Sequence, residues 1–334
     1  MTPAHQPMSK ETQLKLRTLF TVVLLGIAGT AFGQAYPTKP VRIIVPYSPG
    51  GVTDLFSRVL AQQMQESMGQ PFLVENKPGA SQMVGAMLVA KAPADGYTLF
   101  VGSITSLAMN VYTQKAIQYD PVKDFAPISL GMTMPMFLVV NPNTVPAASV
   151  KELISLLKAN PGKYTFSTTG TGGSTHMAGE LFKIMTGTDM IAVPYKGSAP
   201  GIADVVAGQV HMSFDPGSST LPYVKAGKLR ALGVTGLKRF SLMPDLPTVS
   251  ESGVPGYESV IWFGLVTTAG TPPAITQKLS QEMNRILRQP SMAERFGQSA
   301  IDLTPGTPEE FGALIKSDIA KWSKVLRDVG IKPE

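Results

Sequence analysis

From about residue 36 the chain alternates short apolar, β-branched runs with amphipathic stretches. That is the pattern of βαβ units around a mainly parallel sheet. The runs that read as strands are Val41–Pro46, Phe72–Glu75, Tyr97–Val101, Met136–Asn141, Tyr164–Ser167, Met190–Pro194, His211–Phe214 and Leu229–Val234. Between them apolar residues recur at helical spacing: Leu55, Val59, Leu60 and Met64, then Val150, Leu153, Ile154 and Leu157, then Met177, Leu181, Phe182 and Met185. Each stripe is read as a core-facing helix surface. Ser149-Val150-Lys151-Glu152 and Thr307-Pro308-Glu309-Glu310 both match a capping box, the second with proline at the first helical position. The helix opened by Thr307 is expected to bury Phe311, Leu314, Ile315, Ile319, Trp322, Leu326 and Val329. Breaks near Thr133–Pro135 and Thr235–Lys238 set off a middle unit, 136–235, from a discontinuous unit made of 36–135 and 236–334. Two crossings between lobes would make a hinge.

The first 35 residues have a different pattern. Lys10, Lys15 and Arg17 precede an apolar stretch from Leu19 to Ala28, followed by small residues up to Ala35. This is the plan of a secretory signal cut after Ala35, so the mature protein is expected to be exported. The apolar run is shorter than the ~20 residues that a single-pass anchor needs. Removing this segment takes away three basic residues and one acidic residue, so the formal charge of +6 falls to about +4. The remaining positive charge is scattered and forms no nucleic-acid-binding stripe. With no cysteine in the chain, thiol catalysis, disulfides and cysteine-ligated metals are all excluded.

Candidate chemistry sits in glycine-rich loops, each placed where a strand hands over to a helix. The first is Pro46–Asp54, with Tyr47, Ser48, Gly51, Thr53 and Asp54 as its candidate contacts. The second is Ser167–His176, offering Thr169, Gly170, Gly173, Ser174 and His176. Pro194–Pro200, with Gly197, Ser198 and Ala199, and Gly102–Ser106, with Ser103 and Thr105, follow the same plan. Asp215, just past another strand, can accept from a ligand hydroxyl or amine. A loop that opens a helix presents backbone N–H groups and the positive end of the helix dipole to an anion. Loops at strand C-terminal ends converge where open α/β sheets hold their ligands.

An enzyme reading has little to work with. Only His176 and His211 lie beyond the signal, so a histidine-rich metal site is ruled out. The second loop lacks the lysine of a phosphate-binding P-loop and the spacing of a dinucleotide fingerprint, and Gly172-Gly173-Ser174-Thr175-His176 fails as a nucleophile elbow. Ser174 with His176 stands as an alternative exported-hydrolase pair, although residues two apart on a helix do not face each other. A receptor that signals to a membrane kinase is a further alternative. No cofactor, metal or catalytic residue is assigned.

In sequence order the chain carries Tyr36–Arg42, Gly50–Asp54, Glu75–Ala80, Asp95–Leu99, Ala108–Tyr112, Pro194–Gly197, Gly227–Leu232 and Pro244–Thr248. On this series it resembles the solute-binding proteins of tripartite tricarboxylate transporters, the TctC or Bug family, across essentially all of the region after the signal. The resemblance implies a two-lobed type II periplasmic-binding-protein fold, a Venus flytrap. It also implies that the loops at 46–54 and 168–176 grip a ligand carboxylate from opposite lobes, partly through ordered water. Ser103, Ser198 and Asp215 match other cleft positions. Gly102–Ser106 and Asp215–Ser218 depart from the commonest family versions, and those departures bear on the distal end of the ligand. The implied partners are a small carboxylate and two membrane permease subunits, with the receptor a monomer.

Overall fold

The computed structural model describes residues 36–297, 300–330 and 332–333. The export-signal reading therefore falls outside the described residues. Contacts divide the chain into Met1–Thr38 and Lys39–Glu334, and the elements below all belong to the second unit.

The first half runs β1 (Val41–Val45), α1 (Val52–Met68), β2 (Phe72–Asn76), α2 (Met83–Ala90), β3 (Thr98–Ser103), a π-helical turn (Thr105–Met109), α3 (Asn110–Thr113), β4 (Phe125–Val140) and α4 (Val150–Ala159). The second half runs β5 (Thr165–Thr168), α5 (Ser174–Thr186), β6 (Ile191–Pro194), α6 (Ser198–Ala207), β7 (Met212–Pro216), α7 (Gly217–Lys225), β8 (Arg230–Val234), β9 (Val260–Thr268), α8 (Pro273–Leu287), α9 (Pro290–Gly297), β10 (Asp302–Leu303) and α10 (Pro308–Asp328).

These strands make two sheets that share one member. In the first, β2, β1 and β3 pair in parallel, and β9 then lies antiparallel between β3 and β4. In the second, β6, β5 and β7 are parallel, with β7 and β8 antiparallel to β4. β4 is 16 residues long and changes partners along its length: Pro135 lies opposite Val260, and the next residue, Met136, lies opposite Pro216. The parallel βαβ units expected from periodicity form the wings of both sheets, and antiparallel strands join them.

The first part of β4 carries Pro127, Gly131 and Pro135, which interrupt any periodic pattern. Register shifts between Pro127 and Ser129 and between Leu130 and Met132 accommodate these residues in the strand.

The chain beyond residue 235 stays beside the second sheet for a further stretch. Val249 donates to Val234 O at 2.8 Å, Phe240 packs edge-on against Phe137 at 5.6 Å, and Tyr257 Oη donates to Ala178 O at 2.8 Å. Residues 236–257 therefore pack with the second sheet, and the chain returns to the first at Val260. Tyr257, Phe240 and Val249 are fully or almost fully buried, and this burial holds the segment there.

α10 starts as the sequence predicts, since Thr307 and Glu310 make both bonds of a capping box. It buries Phe311, Ile315, Trp322 and Leu326, while Leu314 and Ile319 are only partly covered. Of the α1 stripe, Val59, Leu60 and Met64 are buried, and Leu55 is exposed.

Phe311 lies across β9 at Gly264. A Cβ there would sit 2.3 Å from Phe311 Cζ and 2.8 Å from Ser129 O, closer than real contacts allow. Gly264→Ala is expected to lower stability by about 1–3 kcal/mol through overpacking, read as a lower urea midpoint with an unchanged slope.

Candidate functional site

The first glycine loop is held from inside its own helix. Gly51 is the N-cap of α1 and makes no side-chain cap bond, while Gly50 adopts φ +93°, a conformation that favours glycine. Asp54, three residues into the helix, reaches back so that Gly50 N donates to Oδ2 at 3.0 Å. The same oxygen accepts from Arg58 Nε at 3.0 Å, and Asn76 Nδ2 donates to Oδ1 at 2.8 Å and to Tyr47 O at 3.0 Å. The Arg58 guanidinium, aided against burial by the Gly50 amide and Asn76, holds the Asp54 carboxyl down at about 2. Asp54 thus braces the loop. Thr53 is buried beside it, and Ser48 and Gly51 are exposed at the turn.

The second loop repeats this plan. Gly173 caps α5 with no side-chain bond, and Gly170 and Gly172 have φ of +130° and +73°. His176, again three residues into its helix, accepts from Gly172 N through Nδ1 at 3.0 Å. That acceptor role puts the ring proton on Nε2, which lies 3.6 Å from Glu180 Oε1. Neither ring nitrogen is left to take a proton from Ser174. Thr175 Oγ1 accepts from Thr169 N at 2.8 Å, and Gly173 N donates to Gly170 O at 3.3 Å.

The amides of Thr169, Gly172 and Gly173 therefore serve the turn itself. Those with no acceptor inside the helix belong to its first turn, Ser174 to His176, because helical bonding begins with Met177 N donating to Gly173 O. In the first loop the same reasoning singles out Val52 to Asp54, since Leu55 N donates to Gly51 O. α4 and α10 carry side-chain caps at Ser149 and Thr307, while α6 and α8, like the two loop helices, start without one.

Four further candidates gather beyond the C-terminal ends of the second sheet's parallel strands. β6, β5 and β7 are parallel neighbours, so their ends at Pro194, Thr168 and Asp215 line up, and Tyr195 N donates to Thr168 O at 2.9 Å. Gly197, at φ +113°, opens α6 with Ser198 and Ala199 in its first turn. Asp215 is 2% exposed and takes hydrogen bonds from Ser219 Oγ and Ser198. Burial pushes its carboxyl up to about 6, against the opposing pull of those two hydroxyls.

On the other sheet Ser103 is 1% exposed, and its Oγ donates to Gln82 Oε1 at 2.7 Å. Gln82 Nε2 in turn donates to Tyr47 Oη at 2.7 Å, and Thr105 N donates to Ser103 Oγ at 3.2 Å. Burial pushes the Tyr47 phenol up to about 12, so it stays a neutral hydroxyl. This relay ties the first loop to the π-helical turn.

Gln82 and Asn76 are the residues that sequence reading missed. Gln82 closes a run of three non-glycine residues, Ala80, Ser81 and Gln82, with φ of +44°, +49° and +74°. Such residues cost of order 1–3 kcal/mol each and persist only where their surroundings hold them. The two side-chain bonds of Gln82 do part of that holding. The Glu75–Ala80 motif contains Asn76 and ends two residues before Gln82, but it indicates no backbone handedness.

A cavity of about 140 Å³ is lined by Ser81, Thr105, Asn110 and Thr113, by Thr171, Gly172 and Gly173 of the second loop, and by Lys332. It brings Thr105 together with the second loop. Ser48, Gly51 and Thr53 do not line it, and Tyr47 is connected to it through Gln82 and Ser103. Among the described residues no three metal-ligating side chains come together, and no helix is long and apolar enough to cross a membrane.

The family described as the Tripartite tricarboxylate transporter family receptor, TctC, matches residues 56–331, and the chain belongs to that family of periplasmic solute receptors. It is 34% identical to Protein BugT of Bordetella pertussis, over 93% of this chain and 95% of that one. Among solved structures it is similar to Rpa4515 of R. palustris with adipate, at 36% identity and a TM-score of 0.74, covering 90% of this chain and 100% of that one. It is also similar to MatC from Rhodopseudomonas palustris with bound malate, at 29% identity and a TM-score of 0.70, covering 87% and 100%.

Asp215 provides a test of the site's electrostatics. Its folded carboxyl keeps a proton up to about pH 6, and the unfolded one loses it near the ordinary value of 3.8, so its ionisation lowers stability as pH rises through that window. Asp215→Asn is expected to raise stability at pH 7.5 by about 1–3 kcal/mol, with the gain vanishing by pH 4. Thermal melts of both proteins across this pH range measure the difference.

Proposed function

We propose that this chain is an exported periplasmic receptor that holds a small organic carboxylate on the first-turn amides of α1 and α5. It hands that solute to the two membrane permease subunits of a tripartite tricarboxylate transporter. The observation that carries this reading is the shared construction of the two loops. Both helices begin at a glycine with no side-chain cap, and both spend a buried side chain on fixing the turn while leaving first-turn amides without a helical acceptor. Amides and a helix dipole favour an anion without adding a mobile counter-charge.

Adipate and malate in the similar structures support a carboxylate as the ligand class. Three or four hydrogen bonds to a charged group, at about 1.5–3 kcal/mol each and less the ordering costs, are enough for a roughly micromolar dissociation constant. The receptor works as a monomer of two lobes. One comprises 36–135 with the chain from about 258 onward, and the other comprises 136–257. A ligand that touches both lobes favours the closed form by its differential affinity, and the permease recognises that form.

Proline at the first helical position tests the main-chain claim directly, because it keeps the helix and removes one N–H. Gly51 and Gly173, with ψ of 170° and 165°, already have the extended backbone that a residue before proline prefers. Val52→Pro and Ser174→Pro are each expected to weaken carboxylate binding by about tenfold or more with little change in melting temperature. Calorimetric titration of the purified protein against di-, tri- and aromatic carboxylates makes the measurement. Unchanged affinity in both variants would remove the amides from the site.

A further inference from the structure

Asn110 lies at the start of α3, is 1% exposed and lines the cavity between the π-helical turn and the second glycine loop. Its amide can face only one way. Nδ2 donates to Ser81 O at 2.8 Å, and to Tyr119 Oη at 3.3 Å, whose own proton goes to Ser106 O at 2.7 Å. Burial pushes the Tyr119 phenol up to about 12, so that proton is present at any working pH. Turning the amide over would set Asn110 Oδ1 against the Ser81 carbonyl, acceptor against acceptor. The network therefore commits the nitrogen and leaves Oδ1 as a buried acceptor with no donor among the described residues. Buried carbonyls without a donor are uncommon and costly.

We infer that Asn110 Oδ1 accepts from a hydrogen-bond donor on the bound solute, so the receptor selects hydroxy- or amino-substituted carboxylates over unsubstituted ones. The inference rests on the receptor reading above and adds the substituent to it. The surroundings fit such a group. The cavity of about 140 Å³ is small, and beside the hydroxyl-bearing Ser81, Thr105 and Thr113 it is lined by Met109, Gln114 and the cationic Lys332. The first turn of α5, where the carboxylate is proposed to sit, adjoins it directly at Gly173. A carboxylate on the amides and a neighbouring hydroxyl or ammonium on Asn110 would engage one ligand at two points of opposite hydrogen-bonding sense. The Ala108–Tyr112 segment contains this residue in sequence, but only the fold shows that its oxygen is unpaired.

The test is calorimetric titration of the purified full-length protein with matched sets: succinate, malate and aspartate, and adipate, 2-hydroxyadipate and 2-aminoadipate. The expected result is that substituted members of a set bind about tenfold tighter than the parent, the factor that satisfying one buried acceptor supplies. Asn110→Ala should erase that preference while retaining parent binding. Asn110→Asp, which puts a negative charge at the same place, should favour the amino compounds over the hydroxy ones and serves if the alanine variant does not fold.

Equal or tighter binding of the unsubstituted parents would overturn the inference and leave the carboxylate reading standing. So would an Asn110→Ala variant that weakens all members alike, because the oxygen would then be meeting a structural water. Binding of uncharged hydroxy or amide solutes that depends on Asn110, with every carboxylate silent, would sustain the role of Asn110 and overturn the carboxylate. Silence from every solute would overturn both.

Discussion

The site depends on one repeated contact: a side chain on the third residue of a helix bends back and takes the amide proton of the glycine just before the N-cap. Asp54 does this for Gly50, and His176 does it for Gly172. Without that contact a glycine turn is free to wander, and the entropy of ordering it would fall on the ligand. With it, the cost is met during folding and the helix start is presented already formed. Chemically the two braces differ. The carboxylate of Asp54 is neutralised by Arg58, and the imidazole of His176 is oriented by Glu180 and stacked near Phe166, at 6.2 Å between ring centres. Both solve the same problem of turning a glycine loop outward without leaving its own amide unpaired.

The parts of this fold that periodicity reveals are those in which each strand is followed by its own helix. β1, β5 and their glycine loops were legible because an apolar run, a glycine turn and an amphipathic stretch occur in that order along the chain. The central strands were not. β9 lies between β3 and β4 and is buried from Trp262 onward, so Val260–Thr268 shows no alternation for a pattern search to detect. The first part of β4 is masked by its prolines and by the bulges that accommodate them.

At the site, loop residues such as Ser48, Ser174 and Ser198 could be named from sequence because hydroxyls beside glycines signal a turn that opens a helix. Gln82, Asn76 and Asn110 could not. Their roles come from contacts across 35, 22 and 29 positions of sequence, to Tyr47, Asp54 and Ser81. For the same reason residue type alone does not show that Asp54 and His176 each accept a backbone N–H of their own loop. Residue type points to a turn, and only geometry shows which side chain is spent on holding that turn.

The position of β9 also bears on how the molecule comes to exist. β3 and β4 do not pair with each other in the first sheet, because the strand that joins them is supplied from residues 260–268. A chain synthesised from its N-terminus therefore completes every strand of the second sheet while the first still has an open slot with two bare, apolar edges. In the finished architecture the earliest-made third of the protein can close only once residues 260–268 are present. Until that late strand docks, sticky backbone stays exposed, and a holding chaperone would be most useful to the nascent receptor during that interval.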